Sequence, residues 1–525
     1  MSSRTQKSVR NIAFSICYQL TTLLSNFYIK TVLIKELGIQ YAGVSALFTD
    51  ILTILSVAEL GFGTAISYAL YRPLYEKDNT QIAKLMRLYQ KIYRVIFSVV
   101  VAAGIVCLIF LKYIVNDVPD IKEDIHIIFI FFVLKTAVSY LFVYKATLIE
   151  ANQEKHIVSS IGIVFCILTT IAEALAIAVF KSYIGYLAVM VTMVIVQNVT
   201  ISAVADHRYP MLKSKNRENL SAVERKEIFK NVRALAIYKI SGALQRGVDS
   251  VIISAMLGTP LVGFLSYYKM IVNNVDSFFG QIFEAIKPSV GNLAASENSE
   301  RQYTVFKKMC FLSFAIGNFI TVSLIALMNP FIALWLGSNY LLGMNVVIML
   351  AADIYIITMV RPYESFRNAN ALFVQGKYRP AVMVVLNIVM SVGLANKWGL
   401  PGVLFATVAA RLLTHVWYDP WLIYRKVFYK PFSQYIKMKI FYLLTVTANC
   451  VLVYAICNII GCSDQWVEFC LKALVCAFIP NLVLIALFHN NNEFKALYAY
   501  AREFFCKNVR LPMFKMQNRS GYIFA

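Results

Sequence analysis

The sequence predicts an all-α polytopic membrane protein. The expected architecture is about 14 transmembrane helices in two six-helix lobes plus two extra C-terminal helices, with both termini cytoplasmic. Three observations predict it. Of the 525 residues, 59% are hydrophobic, against about 45–50% in a soluble chain. The apolar residues come in stretches of roughly 20, the length that crosses a bilayer core of ~30 Å. Lysine and arginine concentrate in alternate loops, as they do where cytoplasmic loops are held inside by positive charge.

The apolar stretches fall at residues 9–34, 43–71, 88–112, 124–147, 156–180, 183–204, 232–257, 260–286, 305–328, 343–362, 378–396, 400–424, 437–460 and 466–488. The first follows a short basic start, but it is long and no small-residue cleavage site closes it. It reads as a retained span rather than a signal peptide.

Loop charge sets the orientation. Inside loops take Arg4, Lys7 and Arg10, then Arg72–Arg94, Arg208–Arg233, Lys287–Lys308, Arg361–Arg379 and Arg425–Lys439. The tail adds Lys495, Arg502, Lys507 and Arg510. Outside loops carry only Lys35, Lys112, Lys122, Lys181 and Lys397. The longest inside loop, Ala205–Phe229, is polar and basic and separates two sets of six spans. Two helical bundles joined by a linker place a substrate site between them. The expected divisions are a first lobe over residues 1–230, a second over 231–430, and spans 13 and 14 with a basic cytoplasmic tail over 431–525. In that tail Phe494, Leu497, Tyr498, Ala501, Phe504 and Phe505 recur at helical spacing, which predicts an interfacial amphipathic segment.

Several classes are excluded. A net charge of +22 would suggest nucleic acid in a soluble protein. Here the charge belongs to the inside loops, so no nucleic-acid partner is expected. The ten cysteines lie mostly inside spans and form no CxxC pair, so no metal is expected and they read as small apolar packers. No cofactor is implied. There is no GxxxxGK[ST] loop for ATP, and no HExxH or GxSxG motif. The outer loops are short, so no catalytic domain is expected and the chain is not read as an enzyme.

Cationic side chains inside the apolar stretches point most directly to function. Lys30, Lys239, Arg246 and Lys269 each interrupt a span. A charge at the bilayer centre costs about 2.5–3.5 kcal/mol on insertion scales, so such residues face a bundle interior or a wet cavity. They lie on polar stripes. The first span carries Ser15, Gln19, Thr22, Asn26 and Lys30; the second Thr49, Thr53, Ser56, Glu59 or Gly63, and Ser67. The seventh carries Lys239, Gly242, Arg246, Asp249 and Ser250; the eighth Ser266, Lys269, Asn273, Asp276, Gly280 and Glu284. A single Ser or Thr in a span usually bonds its own helix, and a single Asn glues helices together for about 0.6 kcal/mol. Arg246 and Asp249, three apart, can neutralise each other. The charged members together call for a cavity. Lys135, Glu173, Asp353, Arg411 and Lys472 stand alone on their spans; Arg411 and His415, four apart, are candidates for a second-lobe pathway. The stretch Glu59-Leu-Gly-Phe-Gly-Thr-Ala65 bends the second span or permits close packing, the latter being the commoner use of such glycines.

Three blocks carry a family resemblance. The first runs from Leu37-Gly through Gly43, Phe48, Leu52, Leu55-Ser56 and Glu59–Ala65 to Leu70-Tyr-Arg-Pro-Leu74 and Asp78. The second is Gly263–Ile271 with Ser289–Leu293; the third is Phe366–Ala369, Gly376–Pro380, Gly399–Val403 and Trp421. In order, they resemble the polysaccharide repeat-unit flippases of Gram-positive and related bacteria. These belong to the multidrug/oligosaccharidyl-lipid/polysaccharide exporter superfamily. The resemblance covers most of residues 10–430 and implies two six-helix lobes around a cavity lined by spans 1, 2, 7 and 8. It also implies alternating access and a lipid-linked oligosaccharide cargo.

The reading that follows is a flippase for an undecaprenyl-diphosphate-linked oligosaccharide in the bacterial cytoplasmic membrane, serving surface polysaccharide biosynthesis. A polymerase and glycosyltransferases are its expected functional partners. Lys30, Lys239, Arg246 and Lys269 are the expected diphosphate ligands. Gln19, Asn26, Asn273, and Tyr267 or Tyr268, are the expected sugar contacts. Glu59, Asp249, Asp276 and Glu284 would orient the cations or bind a coupling ion. A drug or ion antiporter of the same superfamily is the alternative, disfavoured by the cation excess on spans 7 and 8. A membrane polysaccharide polymerase is the third.

Overall fold

The computed structural model describes residues 4–59, 61–115, 121–213, 220–370, 372, 375–376 and 378–508. Among these residues the regular structure is entirely helical. The helices are α1 (Arg4–Leu37), α2 (Ile39–Leu55), α3 (Phe62–Glu76), α4 (Asn79–Ile114), α5 (Ile125–Ala151), α6 (Lys155–Ala178), α7 (Tyr183–Arg208) and α8 (Ala222–Leu257). They continue with α9 (Thr259–Ser296), α10 (Ser299–Leu336), α11 (Met344–Ala369), α12 (Arg379–Trp398), α13 (Leu400–Ile423), α14 (Phe432–Ile459), α15 (Gln465–Phe488) and α16 (Asn492–Asn508).

Each apolar stretch read from the sequence falls on a helix, with one change. The second stretch is two helices. α2 stops at Leu55, a 3-10 turn covers Ser56–Glu59, and Gly61 turns the chain through a left-handed φ of 83° before α3. Glycine takes that conformation at no steric cost. The Glu59–Ala65 glycines serve close packing as well: a Cβ on Gly63 would lie 2.7 Å from the Glu59 Oε1.

Short polar residues start the helices. The Asp78 and Asn298 side chains accept from the Gln81 and Arg301 amides at α4 and α10, and Ser221 with Glu224 forms a capping box at α8. Among the described residues, eleven helices are long and apolar enough to cross a membrane, α2 being counted with its 3-10 turn and α13 with the turn that follows it. Those eleven are α2, α4–α7 and α10–α15. Rows of large apolar side chains stand exposed, among them Val95, Val99, Ile105, Val106, Ile109 and Phe110 on α4. In water such a row would be an aggregation surface; in a bilayer it meets acyl chains. The chain is a multi-pass membrane protein.

The chain divides into two compact units, residues 1–266 with 392–403, and residues 267–391 with 404–525. In the first, α1 packs on α6, α5 on α4 and α7, and α2 on α8. Its core gathers Phe62, Ile66, Leu70, Tyr89, Tyr93 and Tyr140. Gly43 and Gly263 let backbones meet: a Cβ on Gly43 would lie 2.7 Å from the Thr259 carbonyl oxygen, and one on Gly263 would lie 3.1 Å from the Gly43 Cα. In the second unit α10 is the hub, packed against α11, α14, α15 and α16. Its aromatic core includes Phe306, Tyr363, Phe366, Tyr424 and Phe428.

The start of the tail packs on protein: on α16, Phe494 meets Phe311, and Lys307 pairs with Glu493 at 2.9 Å. Tyr498 is exposed. The side chains of Ala501, Phe504, Phe505 and Lys507, and Arg510 itself, lie outside the described residues.

Candidate functional site

The three expected spans that are absent from the eleven apolar helices are α1, α8 and α9. They carry three of the polar stripes and all four cations of interest. On α1, Gln19 and Asn26 are exposed, while Thr22 bonds the Tyr18 carbonyl within its own helix. Lys30 is partly buried and within electrostatic reach of Asp50 on α2. The Ser250 hydroxyl on α8 donates to the same Asp50 carboxylate. Asp50 was not singled out from the sequence, because it sits one residue off the α2 stripe. Its polar relation to α1 and α8 has no signal in one-dimensional spacing.

Helix α8 divides its stripe between two environments. Asp249 and Ser250 are buried. Beside them, Gly247 lets α8 approach the Asp50 backbone and Ile54 on α2. Lys239 and Arg246 are exposed, and neither makes an ion pair with any described residue. Two exposed cations without an ion-pair partner among the described residues call for water or an anion wherever they lie within a bilayer.

On α9, Lys269 is partly buried and Asn273 exposed. Asp276 is paired with Arg361 of α11 at 2.6 Å. Arg361, at the inner end of the tenth apolar stretch, is helical and reaches α9. Glu284 is exposed and pairs with Lys287 one turn on. Tyr267 and Tyr268 are fully buried. The Tyr268 hydroxyl donates to the Asn329 side chain at 2.8 Å and accepts from the Leu342 amide at 2.9 Å. Both tyrosines are framework, which corrects their expected role as sugar contacts.

The charges that stood alone in sequence have neighbours across helices. Arg411 on α13 pairs with Asp353 on α11 at 2.6 Å. Lys135 on α5 lies within electrostatic reach of buried Glu173 on α6. Lys472 pairs with Glu468 on its own helix. A second network is fully buried: Arg367 and Arg379 both donate to Asp419, which has no exposed surface.

Each unit contains a cavity. In the first unit a polar cavity of about 370 Å³ gathers Glu59, Glu150, Tyr89, Tyr93 and Thr147 beside the break in the second stretch. The Tyr93 hydroxyl donates to Glu59 at 2.9 Å. In the second unit an apolar groove of about 540 Å³ is lined by residues of α11, α13 and α14, with Thr321 and Ile325 of α10. Its walls include Ile348, Tyr355, Leu412, Leu443 and Tyr454, and Lys439 is its one charged lining residue among those described.

No family model matches the chain, and no curated protein matches it in sequence. Solved structures do. A lipid II flippase, MurJ, in an inward closed conformation is similar over 91% of this chain and 99% of that chain, with 15% identity and a TM-score of 0.64. The chain shares the fold of that solved structure. An inward-facing MATE multidrug resistance transporter of the MOP superfamily aligns over 77% of this chain and 96% of its own, at 12% identity and a TM-score of 0.60. A mutant of the Vibrio cholerae MATE transporter VcmN aligns over 81% and 98%, at 12% identity and a TM-score of 0.56.

Proposed function

We propose that the chain is a flippase of the MOP superfamily. It would carry an undecaprenyl-diphosphate-linked oligosaccharide repeat unit across the bacterial cytoplasmic membrane by alternating access. One observation carries the reading: Lys239 and Arg246 stand exposed and unpaired among the described residues, on a helix embedded in an otherwise apolar chain. The likeness to a lipid II flippase over nearly the whole length supports a lipid-linked cargo.

In this reading α1, α8 and α9 join the eleven apolar helices as spans, giving 14 with both termini cytoplasmic. The lobes are residues 1–230 and 231–430, with residues 431–525 appended. Arg246, Lys239, Lys269 and Lys30 hold the diphosphate through charge-assisted hydrogen bonds, which are roughly twice as strong as neutral ones. Gln19, Asn26 and Asn273 meet sugar hydroxyls. Glu59, in its polar cavity, is the carboxylate best placed to take up a coupling cation. Asp249, Asp276 and Glu284 orient the cations, and Arg411 lines a second-lobe pathway. The prenyl chain stays in the bilayer. An oligosaccharide polymerase and glycosyltransferases are its proposed functional partners.

The rival antiporter for cationic drugs requires an anionic surface, whereas the unpaired exposed groups on α8 are cations. The deciding experiment replaces Arg246 and Lys269 by glutamine in the native strain. Surface polysaccharide should disappear while membrane levels of the protein stay normal. Normal polysaccharide in both variants would overturn the reading.

A further inference from the structure

The polar cavity of the first unit holds groups that the proposed transport path leaves idle. Two carboxylates, Glu59 and Glu150, and four tyrosines, Tyr68, Tyr71, Tyr89 and Tyr93, stand in its wall. Gly63, Ser67 and Tyr71, four apart on α3, carry the polar stripe of the second stretch into it. Tyr89 and Tyr93 are buried, with Tyr89 donating to Tyr93 at 3.2 Å and Tyr93 to Glu59 at 2.9 Å. Gly63 leaves room beside them: a Cβ there would lie 3.1 Å from each of these hydroxyls. Glu150 is different. It stands exposed at the end of α5, and its carboxylate makes no hydrogen bond or ion pair with a described residue. Lys155 is within its electrostatic reach but is not paired with it. Tyr68 and Tyr71 are exposed too, their rings edge to face with centres 6.1 Å apart.

These groups limit the occupant. No lysine or arginine lines the cavity among the described residues, so it offers no partner to a phosphate or an acidic sugar. An ionised carboxylate only accepts hydrogen bonds, so the ligand must bring donors. A bare metal ion draws its oxygen ligands to about 2.0–2.6 Å. This cavity instead keeps about 370 Å³ between its rings, within the ~300–1,000 Å³ of small-molecule sites. An exposed tyrosine face attracts a cation within about 6 Å of its centre, and it also stacks on the C–H face of a sugar ring. Helix α3 leads into the Arg72–Arg94 stretch, which loop charge assigns to the cytoplasmic side. The cavity therefore lies toward the side from which a lipid-linked glycan enters.

We infer that this cavity docks a sugar of the cargo that carries a free, protonated amino group, with the ammonium on Glu150 and the ring on Tyr68 and Tyr71. This rests on the lipid-linked oligosaccharide cargo proposed above and names one of its sugars by chemical class. The charge-assisted bond to Glu150 sets the preference for the amine. Glu59 keeps its bond from Tyr93 and the coupling role already given to it.

The test is saturation-transfer NMR on the full detergent-solubilised chain at pH 6.5. The probes are methyl glucosaminide, its N-acetylated form and tetraphenylphosphonium. Methyl glucosaminide should bind at least fivefold more tightly than the N-acetylated sugar. Glu150→Gln should bring the two within twofold, and Glu150→Asp should keep the preference. Tyr71→Leu should weaken both sugars at least threefold. Glu150 and Tyr71 are exposed, so the melting temperature should stay at the wild-type value in all three variants. No probe carries a diphosphate, so Arg246→Gln/Lys269→Gln should bind both sugars as the wild type does. Equal binding of the two sugars by the wild type overturns the inference alone. So does a preference that survives Glu150→Gln, or a wild type that binds no probe. Tetraphenylphosphonium binding more tightly than either sugar, and lost with Glu150→Gln, overturns the flippase reading as well and favours the antiporter for cationic drugs.

Discussion

Arg361 on α11 reaches the Asp276 carboxylate on α9 at 2.6 Å by passing across the backbone of Gly280. A Cβ on Gly280 would stand 2.7 Å from the guanidinium. The three residues act as one unit, and the absent side chain is as necessary as the two charges.

Gly280→Val should therefore impair transport as severely as Arg361→Gln. The charge-swapped pair Asp276→Arg/Arg361→Asp should recover part of the activity lost by either single change. Surface polysaccharide in complemented strains is the measurement. A harmless Gly280→Val would show that Arg361 has another resting place.

Asp419 neutralises two buried arginines, Arg367 and Arg379. Removing one partner of a buried ion pair costs about 3–5 kcal/mol, because a charge is left without compensation. Asp419→Ala should lower the melting temperature sharply or abolish the folded yield, read by fluorescence-detected size-exclusion chromatography after heating. Replacing Asp353, whose pair with Arg411 is partly exposed, should cost less.

Lys135 and Glu173 give a cleaner version of the same test, since neither belongs to the proposed transport path. Glu173→Leu should reduce folded protein by leaving Lys135 uncompensated in an apolar setting. Lys135→Met combined with Glu173→Leu should restore it, as expected where an ion pair is exchanged for packed apolar groups. A double variant worse than both singles would contradict the pairing.

The contact of α2 with α8 predicts a cross-link. Asp50→Cys and Ser250→Cys, placed where the two side chains are hydrogen-bonded, should form a disulfide on mild oxidation. Gly247→Val, which puts bulk against the Asp50 backbone, should slow that reaction several-fold.

Much of this architecture was legible in the sequence. Apolar run length located the helices, since a bilayer imposes one length on each of them. The polar stripes of the first, seventh and eighth spans were legible as spacing. Partners across helices were not. Asp50 lies off its stripe, and Arg361 stands at the inner end of its span, where basic residues are expected without any partner. Arg411 and Lys135 read as solitary because their counter-charges, Asp353 and Glu173, lie on other helices. The break after Leu55 was half-legible, since glycines signal a bend and a close approach equally well. Tyr267 and Tyr268 misled because an amphipathic side chain has the same letter whether it faces a sugar or a carbonyl.

The meeting of Gly43 with Gly263 has a mechanical meaning. Two surfaces carrying only hydrogens share no side-chain hydrogen bond, no ion pair and no interlocked rotamers. Parting them forfeits dispersion and weak Cα–H contacts, each worth about 1 kcal/mol or less. Such a joint is smooth and unlatched. It can close to backbone distance, then reopen without first breaking anything strong, and it leaves the stickier contacts elsewhere to decide how long it stays shut.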